Sequence, residues 1–114
     1  FVAMMDFAYF NTQLAFVGHS HLPISFHMEA NGDKLIRTIA EGNMELPLTG
    51  RAILNPGSVG QPRDRDPRAS FGIYEPEESI WRIYRVEYDI RAVQQRIYEA
   101  GLPEKEALRL ADGW

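Results

Sequence analysis

Short apolar runs separated by polar turns make up most of the chain. Residues 1–10 carry apolar side chains at helical spacing, which predicts the end of a helix. Residues 14–17 are apolar at every position, a pattern typical of a short strand buried on both faces. This run ends at Gly18, where the polar tetrad Gly-His-Ser-His begins.

Five further segments are predicted to be strands because they are short, apolar or alternating, and bounded by turn residues. They are residues 24–29, 34–40, 51–54, 70–74 and 80–88. Asn31-Gly32, the strongest short hairpin turn, joins the first two, and a turn at 76–79 joins the last two. Both faces of the last strand mix apolar and polar residues, so we expect a sheet covered on one side and partly on the other.

Two helices are predicted at the end of the chain. Asp89 is expected to cap the first, residues 90–100, and Gly101 to stop it. Pro103 opens the second helix. The predicted apolar stripes are Val93, Ile97 and Ala100 on the first helix and Ala107, Leu108 and Ala111 on the second.

Composition narrows the possible functions. The 114 residues are 45% hydrophobic and 25% charged, which is ordinary for one soluble domain or part of one. A net charge of -4 without long runs of one sign argues against an extended nucleic-acid surface. The absence of cysteine excludes disulfides and agrees with a reducing compartment. No apolar run approaches the ~18 residues of a membrane span, so we expect a cytoplasmic protein with no membrane partner.

His19 and His21 are the candidate metal ligands. They follow a predicted buried strand, at the strand end where ligands usually bind in α/β folds. If the chain is extended there, both imidazoles project in similar directions, and neutral imidazole is a common ligand for divalent transition metals. Gly18 would permit close backbone approach to a metal or an unusual dihedral angle. A His-x-His pair alone also describes two ordinary loop histidines.

The loop at residues 55–68 is a candidate anion site. Its glycines and Ser58 can present backbone amides to an anion. Three arginines could donate to phosphate: Arg63, Arg65 and Arg68. In the alternative interpretation, Asp64 and Asp66 pair with these arginines at the surface, where each pair contributes about 0–1 kcal/mol.

Two motifs in this order resemble the C-terminal half of calcineurin-like metallophosphoesterases. The first is FVGHSHLP, and the second, about 35 residues later, is NPGSVGQPRDRDPRASFGIY. The tail RVEYDIRAVQQRIYEAGLPEKEALRLADGW is similar to the same family, and most of all to its YfcE-like or diadenosine tetraphosphatase-related phosphodiesterases. The resemblance implies that residues 1–114 are the C-terminal portion of a single domain. It implies an α/β fold, part of a four-layer α-β-β-α sandwich with mostly antiparallel strands followed by two C-terminal helices.

The resemblance also implies a chemistry. His19 and His21 would each bind one of two divalent ions (Mn, Fe, Zn or Ni) in a full-length phosphodiesterase or phosphomonoesterase. The substrate would be a phosphate-ester small molecule or a nucleotide. The candidate substrate-binding residues are Asn55, Gly57, Ser58 and Arg63. Arg65 stands where the family commonly has glycine, which predicts a changed loop tip because arginine adopts a positive φ less readily.

The family's remaining metal-binding elements, Asp-x-His, Gly-Asp-x-x-Asp, Gly-Asn-His and a further histidine, do not occur in this sequence. His27 matches none of these ligands and is expected to have a surface or sheet role. We therefore expect the chain alone to be inactive, and to form a homo-oligomer or pair with a missing half. One alternative is a non-catalytic scaffold that binds a partner through Trp81, Tyr84, Tyr88 and Trp114. Another is a free-standing metal-binding domain.

Overall fold

The computed structural model describes residues 5–29 and 34–114. Within those residues it has a 3-10 turn at Phe7–Tyr9, seven strands and two helices. The strands are β1 (Leu14–Phe16), β2 (Ile24–Met28), β3 (Leu35–Ile39), β4 (Met44–Pro47), β5 (Ala52–Leu54), β6 (Ala69–Glu75) and β7 (Ile80–Val86). The helices are α1 (Ile90–Glu99) and α2 (Glu104–Asp112). The predicted α/β class is confirmed.

The strands form two sheets, ordered β1-β5-β2-β3 and β4-β7-β6. β1 and β5 pair in parallel, and the other four described pairs are antiparallel. Both predicted hairpins are present as β2–β3 and β6–β7, although the Asn31-Gly32 turn itself lies outside the described residues. The sequence did not predict β4, a four-residue strand at the edge of its sheet. It ends in Pro47, and proline within sheets is confined mainly to edge strands.

The core lies between the two sheets. Ala52 and Leu54 of β5 belong to the same buried cluster as Trp81 and Ile83 of β7. Trp81 is 3% exposed, so this tryptophan is part of the core and cannot form the partner surface considered for a scaffold. A β-carbon at position 72 would clash with the indole ring of Trp81, and the ring therefore requires Gly72 beside it.

β1 is less covered than predicted. Phe16 is 59% exposed, while Leu14 and Ala15 are half-buried. Within the described residues, β1 is an edge strand that pairs with β5. Phe16 reaches the second sheet, where its ring lies 5.9 Å from that of Trp81 between centroids. The expectation of burial on both faces is therefore wrong for the described part of the chain.

The helical turn before β1 is attached to the first sheet by Arg51. Met5 and Asp6 are helical and lead into the 3-10 turn, in agreement with the predicted helix end; residues 1–4 lie outside the described part. The Arg51 guanidinium donates to the carbonyls of Phe7, Phe10 and Thr12.

The predicted ends of α1 are confirmed. The Asp89 carboxylate accepts from the Ala92 amide at 3.1 Å, which caps the helix. Gly101 has a φ of 72°, and its amide and the next one donate to the carbonyls of Tyr98 and Ile97 at 3.0 and 3.2 Å. This pair of bonds is the Schellman arrangement that ends many helices.

The predicted apolar faces of the helices are only partly correct. On α1, Val93 and Ile97 are half-buried, whereas Ala100 is exposed. On α2 the buried residues are Ala107 and Leu110. Leu108 is 52% exposed and Ala111 is also exposed, so the predicted stripe of α2 is wrong at these two positions. No helix in the described ranges is long and apolar enough to cross a membrane.

Candidate metal centre

The segment after β1 turns sharply at the two candidate ligands. His19 and His21 have φ values of 76° and 61°, both in the left-handed region, and the Ser20 amide donates to the Gly18 carbonyl at 3.0 Å. The condition of an extended chain, under which both imidazoles would project in similar directions, is therefore not met. Gly18 has no positive φ, so the unusual conformation falls on the histidines instead. Each left-handed non-glycine residue costs roughly 1–2 kcal/mol, and such residues persist where their surroundings hold them.

The buried amide of Asn55 ties this segment to the loop at residues 55–68. Its Nδ2 donates to the Gly18 carbonyl at 3.2 Å and to Ser20 Oγ at 3.0 Å. Its Oδ1 accepts from the Gly57 amide at 3.0 Å. Asn55 therefore has a structural role in joining the two candidate segments, and its contact with substrate stays a prediction.

His21 is oriented by a backbone carbonyl. Its Nδ1 lies 2.8 Å from the Gln61 oxygen. Because a carbonyl only accepts hydrogen bonds, Nδ1 must carry the proton in this contact, and the neutral ring then has its lone pair on Nε2. Metal-binding histidines are commonly oriented in this way. The half-buried His21 ring therefore fits the chemistry of an imidazole ligand, while His19 is exposed.

Gln61 bonds two residues of its own loop and one of α2 besides His21, and the sequence did not predict its role. Its backbone N–H donates to Ser58 Oγ at 2.9 Å. Its side-chain Nε2 donates to Glu106 of α2 at 3.2 Å, and its Oε1 accepts from Arg63 at 2.6 and 3.2 Å. Nothing in the local pattern points to the contact with Glu106, which is 45 residues away in the chain.

Gly57 sits where another residue would not fit. Its φ is 83°, and a β-carbon there would lie 2.8 Å from Ser70 Oγ. Ser70 Oγ in turn donates to the Pro56 carbonyl at 2.7 Å, and the Ser70 amide donates to the Ser58 carbonyl at 2.9 Å. These bonds hold the first half of the loop against β6.

The loop arginines mostly have partners within the protein. Arg68 pairs with Asp66 at 2.8 Å, and this bond is the main reason why the pKa of Asp66 lies below its ordinary value. The alternative interpretation of surface pairing is therefore confirmed for Arg68. The Arg65 guanidinium lies over the Trp114 ring, 4.4 Å from its centroid. Arg63 is exposed and bonded to Gln61.

Arg65 itself adopts a φ of 67°, the left-handed conformation that glycine takes easily. Its amide donates to the Gly113 carbonyl at 2.9 Å. Gly113 has a φ of 69°, and a β-carbon there would lie 2.8 Å from the Asp66 nitrogen. The C-terminal end of α2 is thus packed tightly against the loop tip and helps to hold this conformation.

Asp64 pairs with Arg85 of β7, a buried residue that the sequence did not single out. The Arg85 side chain is 1% exposed and bonds both Asp64 oxygens at 2.6 and 3.1 Å. It also donates to the carbonyls of Asp66 and Arg68 at 2.7 and 2.8 Å. The alternation of β7, which places Arg85 on the same face as Trp81 and Ile83, is the pattern that could have found it.

The third histidine, His27, lies in a sheet, which was one of the two roles expected for it. His27 lies in β2 between Ile36 and Ala52 and is 7% exposed. In residues 5–29 and 34–114, no three His, Asp or Glu side chains form a group that could hold a metal ion. A cavity of about 530 Å³ lies beside the histidine segment and is lined in part by Gly18, Ser20 and Asn55.

The chain was compared with protein-family models, curated proteins and solved structures. No protein-family model matches the chain. The metallophosphoesterase from Sphaerobacter thermophilus is 42% identical and superposes with a TM-score of 0.90, covering 99% of this chain and 46% of that one. The uncharacterized protein MJ0912 from Methanocaldococcus jannaschii is 42% identical over 91 residues, 80% of this chain and 35% of that protein.

The hypothetical protein PH1004 from Pyrococcus horikoshii OT3 shares the fold alone, with a TM-score of 0.64 and 20% identity over 99% of this chain and 36% of that one. The chain thus has a metallophosphoesterase-type α/β fold with two sheets, and the resemblance seen in the sequence is confirmed at that level. It spans 46% of the solved neighbour and 35% of the curated relative. The YfcE-like branch and the C-terminal placement stay predictions.

Proposed function

We propose that this chain is part of a metal-dependent phosphoesterase in which His19 and His21 supply imidazole ligands to a two-metal centre. The bond between His21 Nδ1 and the Gln61 carbonyl carries the proposal, because it leaves Nε2 available to a metal ion. The 42% identity to a metallophosphoesterase supports it. The proposed substrate class is a phosphate-ester small molecule or a nucleotide.

The residues present fit one part of such a centre. Imidazole suits Mn, Fe, Zn and Ni alike. Divalent ions held there would polarise a phosphoryl oxygen and lower the pKa of a bound water. Carboxylate ligands do not gather near the histidines among the described residues, and the rest of the full-length protein would have to supply them. This chain alone is therefore expected to be inactive.

Arg63 is the best placed of the candidate substrate-binding residues. Gln61 Oε1 accepts from its Nε and from one terminal nitrogen, so the orientation of the guanidinium is set from one side. The remaining N–H groups of the exposed fork can donate to phosphate oxygens. Ser58 and Gly57 instead shape the loop through the bonds to Gln61 and the contact with Ser70.

The test is hydrolysis of bis-p-nitrophenyl phosphate by the full-length protein with Mn²⁺. We expect His19→Ala and His21→Ala each to lower the rate by more than roughly 100-fold, because each change removes a ligand rather than a residue that orients one. His27→Gln is the matched control, since it removes the third imidazole of this chain, which lies in a strand, and should retain activity if the protein stays folded. Retained activity in both ligand variants would disprove the assignment.

Metal analysis of the purified full-length protein separates the enzyme from the scaffold. About two metal ions per chain are expected for the enzyme. A protein without bound metal and without hydrolysis would favour the non-catalytic scaffold instead.

A further inference from the structure

Gln61 lies at the meeting point of the two candidate segments and helix α2. Its carbonyl accepts from His21 at 2.8 Å, and its side chain reaches Glu106 at 3.2 Å and Arg63 at 2.6 Å. Its amide nitrogen is bonded to Ser58. The backbone and side chain of one residue therefore contact a proposed metal ligand, a proposed phosphate-binding arginine and a helix from the end of the chain.

We propose that Gln61 is a positioning residue that fixes the tautomer and direction of His21, and that Glu106 of α2 holds Gln61 in place. This inference rests on the proposed function only in treating His21 as a metal ligand. It gives the C-terminal helix a part in the site although α2 supplies no candidate ligand.

The geometry shows why the helix matters. The carbonyl that accepts from His21 belongs to Gln61. The side-chain amide of Gln61 donates from its nitrogen to Glu106 and accepts at its oxygen from Arg63. The Glu106 carboxylate also lies 3.5 Å from Arg109 of the same helix, which limits its freedom. α2 is fixed independently by the bond between Gln94 and the Ala107 carbonyl at 2.9 Å. The loop residue that carries this carbonyl is thus connected through Glu106 to a helix that is itself bonded to α1.

Four variants of the full-length protein test the proposal. Gln61→Ala removes both side-chain bonds, and Glu106→Ala removes the helix anchor. Glu106→Gln retains an acceptor oxygen and should rescue the wild-type behaviour. Glu104→Ala is the matched control, because Glu104 is an exposed glutamate in the first turn of the same helix. Thermal melting shows that each variant is folded.

Two readouts are measured on each variant. The first is Mn²⁺ affinity by titration calorimetry, for which we expect a loss of about 10-fold in Gln61→Ala. In Glu106→Ala we expect a loss of about threefold, and in Glu106→Gln and Glu104→Ala no loss. The second is the His21 tautomer in the metal-free protein, read from nitrogen-15 NMR under conditions in which the imidazole is neutral. Wild type should show Nδ1–H, and Gln61→Ala should show a mixture.

An unchanged affinity and an unchanged Nδ1–H tautomer in Gln61→Ala would overturn the positioning role. Identical behaviour of Glu106→Ala and Glu104→Ala would overturn the link to α2. This comparison tests that link even if Gln61→Ala fails to fold. If the wild type binds no Mn²⁺, the proposed function fails, but the NMR experiment still tests whether Gln61 sets the His21 tautomer.

Discussion

The left-handed backbone of Gly57 shapes the start of the loop that reaches His21. We expect Gly57→Ala to lower the free energy of unfolding by about 2 kcal/mol or more, since the positive φ alone costs roughly 1–2 kcal/mol and the new β-carbon meets Ser70 Oγ at 2.8 Å. Gly60→Ala in the same loop is the control. Gly60 has no positive φ, and a β-carbon added there would have no heavy atom within 4 Å. The free energy of unfolding should therefore change little in Gly60→Ala. Urea unfolding of the full-length protein measures both, and equal effects would contradict the argument.

At this scale the sequence indicates the candidate site residues but not their conformation. His19 and His21 can be selected because imidazole suits metal binding, and Asn55 because it stands in the second motif of the family resemblance. The role of Asn55 in joining the two segments was not predicted. The left-handed φ of both histidines cannot be predicted, since short-range pattern does not encode which residue absorbs the strain. The carbonyl that orients His21 comes from Gln61, 40 residues along the chain, and only the fold brings them together.

At the scale of elements, β7 carries two arginines on opposite faces, and the contrast between them can be measured. Arg85 is 1% exposed and holds Asp64 together with two loop carbonyls. Arg85→Met should lower the free energy of unfolding by about 3–5 kcal/mol, because it leaves a mostly buried carboxylate without its partner. Arg82→Met is the control, since Arg82 pairs with Glu45 and Glu75 at the surface, and it should lower the free energy of unfolding much less than Arg85→Met. Similar losses in the two variants would show that Arg85 does not anchor the loop.

The elements themselves were largely predictable. Apolar runs, the Asp89 cap and the Gly101 stop place most strands and both helices, since these features act over a few residues. β4 was missed because four residues ending in Pro47 give too short a pattern. The exposed side of β1 was also missed, because the burial of a strand depends on what packs beside it rather than on its own side chains.

On the scale of the whole molecule, an open apolar cleft of about 630 Å³ lies between the end of β1, the loop and the second sheet. Val59, which is 64% exposed, and Phe16 line it. Large exposed apolar concavities in soluble proteins usually mark surfaces that another protein segment covers. The expected pairing with a missing half, or with a second copy, is an occupant of this kind and stays a prediction.

We expect the 114-residue chain on its own to self-associate and to bind a hydrophobic dye, because the cleft is then open to solvent. Val59→Ser should weaken both effects. Val86→Ser is the matched control, as Val86 is 47% exposed on β7 but does not line the cleft. Sedimentation velocity and dye fluorescence measure the outcome, and the full-length protein should bind less dye per chain. A stable 13.0 kDa monomer without dye binding would mean that the cleft closes within the chain itself and needs no partner.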